Sequence, residues 1–461
     1  MRVLNILWLA ALTAVFAPTT AANAKPAEPP ATESAADTPA KAQDSERPTF
    51  TPMLRLTLRG EARVNAGDAP DPKVDTWRVL EGVRAGLRVG FKELTVVGQL
   101  QDVRAWGQGT LISTNPATGL HQGYIEVSGE TGRQVSGFLR VGRQEIVYGS
   151  KRHFHSAPFN PASRAFDGVR GQLNVGRASI ESGYMLVAAP NDFTVTADDG
   201  TETSVHSRGD HLAYSDIGYA FHEAVQLHAA VIVQRLGATA SDPTRSRFFV
   251  MPGGRITGEL APGLKYEGEG WAQRGDERGR SLRAWMAAGS VTYEAQIPVR
   301  PGAQLHYEAL SGSSCSGDPA VDEACTDGVH RDFDQLDGAR HKYRGWMDLF
   351  AGSNLRDLAV SAFVSPSSKV KATAVYHFVQ LQEASGRWFR LSGESAWGDG
   401  WDPTNTSNTL GHEVDLLIDY RPWKYLSIRP MYAAFFKGPA ARQLLSPEPM
   451  HLVFLWFLAE F

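Results

Sequence analysis

Met53-Leu54-Arg55-Leu56-Thr57-Leu58-Arg59-Gly60-Glu61-Ala62-Arg63-Val64 sorts its residues into two sets by parity. Leu54, Leu56, Leu58, Gly60, Ala62 and Val64 fall on one side; Arg55, Thr57, Arg59, Glu61 and Arg63 fall on the other. Successive side chains of a strand point to opposite faces, so this period of two predicts a strand with one apolar and one charged face. The charged face needs water and the apolar face needs shelter from it. The division returns at the other end of the chain, where Val453, Leu455, Phe457, Ala459 and Phe461 form an unbroken apolar face ending in an aromatic residue. On a soluble sheet such an edge would invite aggregation.

Working outward, Val414, Leu416, Ile418 and Tyr420 oppose Glu413, Asp415 and Asp419, and Lys265, Glu267 and Glu269 share a face. Counting all such segments gives about eighteen, from 52–65 to 448–461. Links after even-numbered segments are short, as at Gly176, Glu223, Ala261 and Ser367. Links after odd-numbered ones are mostly longer and polar: 148–164, 190–209, 313–353 and 383–410. Short turns on one side and long loops on the other describe an outer-membrane barrel. The predicted fold is therefore all-β, a transmembrane antiparallel barrel of about 18 strands, wide enough for an aqueous lumen. A soluble multi-sheet protein is the alternative, and it would carry mixed polar residues on its outer faces. An Arg or Lys facing lipid near the midplane would cost ~2–4 kcal/mol, which fixes the register. Glu81 falls on an otherwise apolar face and requires a place near the rim or a bulge.

Composition closes other routes. Among 461 residues, 46 Lys and Arg face 50 Asp and Glu, a net charge of −4, so there is no basic excess to bind nucleic acid. Two cysteines are too few for a disulfide scaffold or a four-ligand zinc site. Met1-Arg2, an apolar stretch reaching Pro18, and Ala22-Asn23-Ala24 read as a secretory leader over residues 1–24. A disordered Pro- and Ala-rich linker is expected over 25–50, because 25–47 contains no aromatic residue to bury. The barrel is expected over 51–461, in the outer membrane of a Gram-negative bacterium.

Four stretches, in order, resemble the alginate export family of outer-membrane barrels. They are Gln101 to Gly107; Gly142 to Gly149 with Arg152 and then Arg164 to Arg170; His341 to Phe350 running to Asn354–Leu358; and Gly411 to Leu416 leading into Tyr420-Arg421-Pro422. The resemblance implies an eighteen-stranded monomeric barrel that passes anionic uronate polysaccharide outward through an arginine-lined constriction. It also implies outer-membrane lipid and a periplasmic export machinery as partners. A general diffusion porin with no polysaccharide role is the other reading of the same fold.

The residues themselves suggest a substrate path. Arg55, Arg59 and Arg63, then Arg78, Arg84 and Arg88, and further on Arg140 and Arg170, alternate with apolar neighbours and are expected to face the lumen. Clustered guanidinium groups attract anions and bind carboxylates in bidentate fashion. Arg104 and Arg143 are counted with Arg59, Arg84 and Arg170 as lumenal arginines. Simple alternation, however, puts Arg143 beside Val141, so it needs a bulge or a position above the membrane. Asp102, Glu145, Glu413 and Asp415 are expected as lumenal acids or as ion-pair partners that stiffen the wall. Cys315 and Cys325, in the longest loop, are expected to form a disulfide. His153-Phe154-His155 reads as a solvated loop, not a metal site. No cofactor and no catalysed chemistry are expected, since no G-x-S-x-G or phosphate-binding loop is present. Field and width would do the selecting.

Overall fold

In lipid no water is available for backbone N–H and C=O groups, so every strand must pair on both sides and the sheet must close. The computed structural model describes residues 47–66, 75–107, 118–132, 134–196, 201–315, 326–391 and 404–461. Among these, eighteen long strands run antiparallel to their neighbours. They are β1 (Thr49–Val64), β2 (Thr76–Phe91), β3 (Leu94–Gly107), β4 (Thr118–Thr131), β5 (Val135–Gln144) and β6 (Phe166–Val175). Next come β7 (Ala178–Ala188), β8 (Asp210–His222), β9 (Val225–Leu236), β10 (Arg247–Ala261), β11 (Leu264–Glu277) and β12 (Arg280–Glu294). The last six are β13 (Gly302–Leu310), β14 (Leu355–Ser367), β15 (Val370–Leu381), β16 (Thr409–Trp423), β17 (Leu426–Lys437) and β18 (Met450–Glu460). β1 pairs with both β2 and β18, which closes the ring. The seam ends where Phe461 N–H donates to the Leu54 carbonyl at 2.9 Å.

Alternation holds around the wall. In β1, Arg55, Thr57, Arg59 and Glu61 are buried while Leu54, Leu56 and Leu58 are exposed. Exposed here means facing lipid. Trp77, Tyr184, Trp423 and Tyr425 stand on this outer surface near strand ends, as an interfacial girdle requires. Glu81 also faces outward, near the long-loop end of β2 and in register with Arg104 of β3.

Three boundaries differ from expectation. β1 begins at Thr49, inside the expected linker. β5 stops at Gln144, because the chain leaves the wall there and turns into the lumen. The link after β11 is only Arg278-Gly279, both at positive φ, a turn geometry whose twist matches a two-residue hairpin. The loop after β7 carries its own small hairpin, Asn191–Thr196 with Glu202–Ser207. A two-residue strand, Val329–His330, runs parallel to β12.

Because Leu56 lies midway along β1 on the lipid side, Leu56→Arg should cost ~2–4 kcal/mol in a reversible refolding titration into vesicles. Arg104→Leu, at the exposed rim, should leave the midpoint unchanged.

Candidate functional site

The inward face is a belt of ion pairs. Arg59 Nε lies 3.0 Å from Glu61 Oε2, and Arg78 bonds the other oxygen of the same carboxylate. Arg140 Nη2 reaches Glu126 at 2.7 Å, with its guanidinium 4.3 Å over the Tyr124 ring. Arg170 Nε donates to Glu181 at 3.0 Å. Fully buried charges need such partners, because desolvation of an unpaired one costs several kcal/mol.

Loop 145–165 folds into this belt. Pro158 and Pro161 each open a tight turn, closed by Asn160 N–H to Ala157 O and Ser163 N–H to Asn160 O, both at 2.9 Å, and the carbonyls of Pro158, Phe159 and Pro161 are left outside any ladder. The arginines take them: Arg55 Nη2 donates to Pro158 O at 3.0 Å, Arg59 Nη1 to Phe159 O at 2.6 Å, and Arg84 Nη2 to Pro161 O at 3.0 Å. The Arg59 guanidinium also lies 3.6 Å over the Phe159 ring. Arg170 Nη2 donates to Val147 O at 3.3 Å. Three of the five arginines singled out in the sequence, Arg59, Arg84 and Arg170, therefore hold one loop across the lumen. Glu145 begins that loop. It accepts from Arg84 Nη1 at 3.1 Å and from His121 Nε2 at 2.7 Å, and a bulge at His121 turns both His121 and Gln122 inward. Burial alone would raise the Glu145 carboxyl, but His121 and Arg84 pull it down to about 2.

The described residues of a second loop, 311–315 and 326–354 of the range 311–354, also turn inward; they pack against the first loop and carry the short helix α1 (His341–Arg344). Ala339 N–H donates to Lys151 O at 2.8 Å, His155 N–H to Asp337 O at 3.1 Å, and Arg164 Nη1 to Asp337 O at 2.9 Å. Glu308 on β13 is the joint: its two oxygens separately accept from Arg152 of the first loop and Arg344 of the second. Arg152 also pairs with Glu269 on β11, and its guanidinium lies 3.5 Å over Tyr343. Burial works against the Arg152 charge, yet the neighbouring Glu308 carries its pKa above the ordinary value. Glu413 and Asp415 face inward and serve the same end, accepting from Met347 N–H at 2.8 Å and Trp346 N–H at 3.2 Å.

Arg104 and Arg143, counted as lumenal, are not, and Asp102, expected as a lumenal acid or an ion-pair partner, takes only the second role. In β3 the inward positions are Thr95, Val97, Gln99, Gln101 and Val103, so Asp102 and Arg104 face outward, paired with each other at 2.8 Å at the exposed rim. In β5 the inward positions are Phe138, Arg140 and Gln144. Gly142 at φ 127° introduces no bulge in the β5 pairings, so Arg143 keeps the outer side and pairs with Asp167 at 2.8 Å. Parity alone would have placed all three. His153 and His155 are packed inside the barrel instead of lying in a solvated loop, and burial lowers them to about 4 and about 3, leaving both neutral at pH 7. No cluster that could hold a metal occurs among the described residues. Cys315 is buried at the wall end of loop 311–354, and Cys325 lies outside the described residues.

What the sequence reading missed is the second source of positive charge. Lys151 and Arg152 from one loop meet Lys342 and Arg344 from the other, with Lys342 Nζ donating to Ser150 O at 3.2 Å. Lys342 is exposed to the lumen. The signal was available as two short basic runs, Lys151-Arg152 and Arg340 to Arg344, but nothing in their spacing says that the loops fold inward.

Residues 85–449 match the family model described as Alginate export. The chain belongs to the alginate export family. No curated protein matches it. Solved barrels resemble it in fold. Pseudomonas aeruginosa OprD is 14% identical at a TM-score of 0.52, over 93% of this chain and 99% of that one. P. aeruginosa OpdK, solved with vanillate, is 11% identical at 0.51, over 89% and 98%. P. aeruginosa OccK11 (OpdR) is 13% identical at 0.51, over 89% and 96%. This alginate export family member is an outer-membrane channel, and catalysis is not its business.

Two outcomes follow from the joints. Glu308→Gln should cost ~3–5 kcal/mol, as expected when a buried pair loses one partner. It should release both loops together, seen as new conductance steps in single-channel records, and Arg152→Gln and Arg344→Gln should then combine non-additively. Glu145, depressed from an unfolded value of about 4.3 to about 2, stabilises its loop above roughly pH 4.5. That contribution is lost as pH falls toward 2. Protease cleavage within 145–165 should therefore rise in wild type below pH 4, and Glu145→Gln should be cleaved readily at every pH.

Proposed function

We propose that this channel carries carboxylate-bearing solutes, uronate saccharides or smaller organic anions, past a constriction built from loops 145–165 and 311–354. The observation that carries the reading is the meeting of Lys151-Arg152 with Lys342 and Arg344 inside the barrel, with one lysine exposed to the path. Glu267 and Glu269 on β11 act on Lys342 electrostatically, so the field crosses the lumen from wall acids to loop cations. A carboxylate passing here exchanges hydration for ammonium and guanidinium contacts in a site of lowered dielectric. The wall arginines support the same sign of selectivity but are largely neutralised by their partners, which favours a modest anion preference. OpdK, a barrel of the same fold, was solved with vanillate, a carboxylate. One chain closes the ring, so the transporting unit is read as a monomer.

The test is reversal potential in a KCl gradient across a planar bilayer, with and without oligouronates. Wild type should prefer anions and be blocked by oligouronates, and the Lys151→Gln, Lys342→Gln double variant should lose both properties. Cation preference in wild type would end this reading. Indifference to oligouronates would leave a general diffusion porin.

A further inference from the structure

The outer wall is not uniformly convex. Between β14 and β18 it carries a trench of about 740 Å³, lined almost wholly by apolar atoms. One bank runs from Ala362 on β14 through Ala374 on β15 to Val453 on β18, and the other from Val364 through Ala372 to Leu455. Cross-strand register sets each bank: Ala362 faces Ala374, Ala374 faces Leu416, Leu416 faces Tyr432 and Tyr432 faces Val453. Alanines on β14 and β15 make the trough, because their neighbours along the same rows are Leu, Ile and Tyr.

The dimensions select an occupant. Five strands span four inter-strand spacings, about 19 Å, and banks two residues apart are separated by about 6.7 Å. That is a long, narrow slot for a single hydrocarbon chain, too thin for a helix of about 10 Å diameter. Strand tilt of about 35–45° inclines the slot across the bilayer. Val364 lies three residues from the short-turn end of β14, while Leu455 lies five from that end of β18. The slot therefore starts near the periplasmic rim and climbs inward.

Lipid tails are as apolar as leucine, so a trench alone retains nothing in a membrane. Retention needs a held headgroup, and the two turns beside the low end of the slot each carry a cation. Ser365 N–H donates to Val299 O at 2.9 Å, which seats the turn bearing Arg300 against the end of β14. Lys369 sits in the next turn along, tied to β16 where Arg421 N–H donates to its carbonyl at 2.7 Å. Both side chains are exposed, and neither has an ion-pair partner among the described residues.

We propose that the trench holds one acyl chain of an anionic phospholipid of the periplasmic leaflet, with its phosphate between Arg300 and Lys369. The bound lipid splints the β14–β18 wall, the segment whose inward side carries Glu413 and Asp415 and through them loop 311–354.

The experiment is native mass spectrometry of the full detergent-purified chain titrated with dioleoylphosphatidylglycerol or, as a zwitterionic probe with the same tails, dioleoylphosphatidylcholine. Wild type should keep one phosphatidylglycerol at collision energies that strip phosphatidylcholine. Arg300→Gln and Lys369→Gln should each weaken that adduct about fivefold. Ala372→Phe, which fills the slot from the lipid side, should abolish it, while Ala287→Phe on the outer face of β12 should not. Each variant's channel conductance reports that the barrel is intact. Equal retention of the two lipids, loss of neither adduct in the variants, or a dimer of the chain that Ala372→Phe dissociates would overturn the proposal. None of these results bears on anion selectivity.

Discussion

Everything in this protein follows from closing a sheet in a solvent that cannot hydrogen-bond. Once β1 is paired to β18, each strand has one face for lipid and one for the lumen, and at mid-membrane depth charge can go only inward, outward charges being kept to the rim. Inside, the barrel faces the opposite difficulty. Arginines and carboxylates crowded at membrane depth must find partners, and the belt of pairs from Arg59–Glu61 to Arg170–Glu181 is the result. The belt still has donors left over. Arg55, Arg59 and Arg84 spend theirs on the carbonyls of Pro158, Phe159 and Pro161, so the satisfaction of buried donors is what draws a loop into the lumen.

Function inherits this arrangement. In the proposed function, selectivity is set less by the wall than by what the wall holds. Loop 145–165 hangs from β1, β2 and β6, and loop 311–354 hangs from β13 and β16. Glu308 ties the two together through Arg152 and Arg344, so the two loops are joined as one body where Lys151 and Arg152 meet Lys342 and Arg344. A shared buried carboxylate is a stiff coupling, because either guanidinium left alone would be a buried unpaired charge.

Period-two alternation made the strands legible: the first stretch from Met53 to Val64 and the last from Val453 to Phe461 placed lipid and lumen without any coordinate. The lumenal direction of Arg59, Arg84 and Arg170 was legible for the same reason. The roles were not. Alternation says which way Arg84 points but not that a loop carbonyl waits there, since that contact is 77 residues distant in sequence. Arg104 and Arg143 were counted as lumenal against parity, while Asp102 keeps the ion-pair role expected of it, with Arg104 as its partner. The inward course of the loops was invisible because loop composition carries no period, and His153-Phe154-His155 looks solvated until the barrel surrounds it.

The central claim is that both long loops are structural parts of the lumen, clamped there by buried charge. Hydrogen exchange of the wild-type channel in lipid nanodiscs tests it most directly. The account predicts that amides of Ala339, Met347 and His155 exchange as slowly as those of the flanking strands. Exchange within seconds, at the rate of free surface loops, would contradict it.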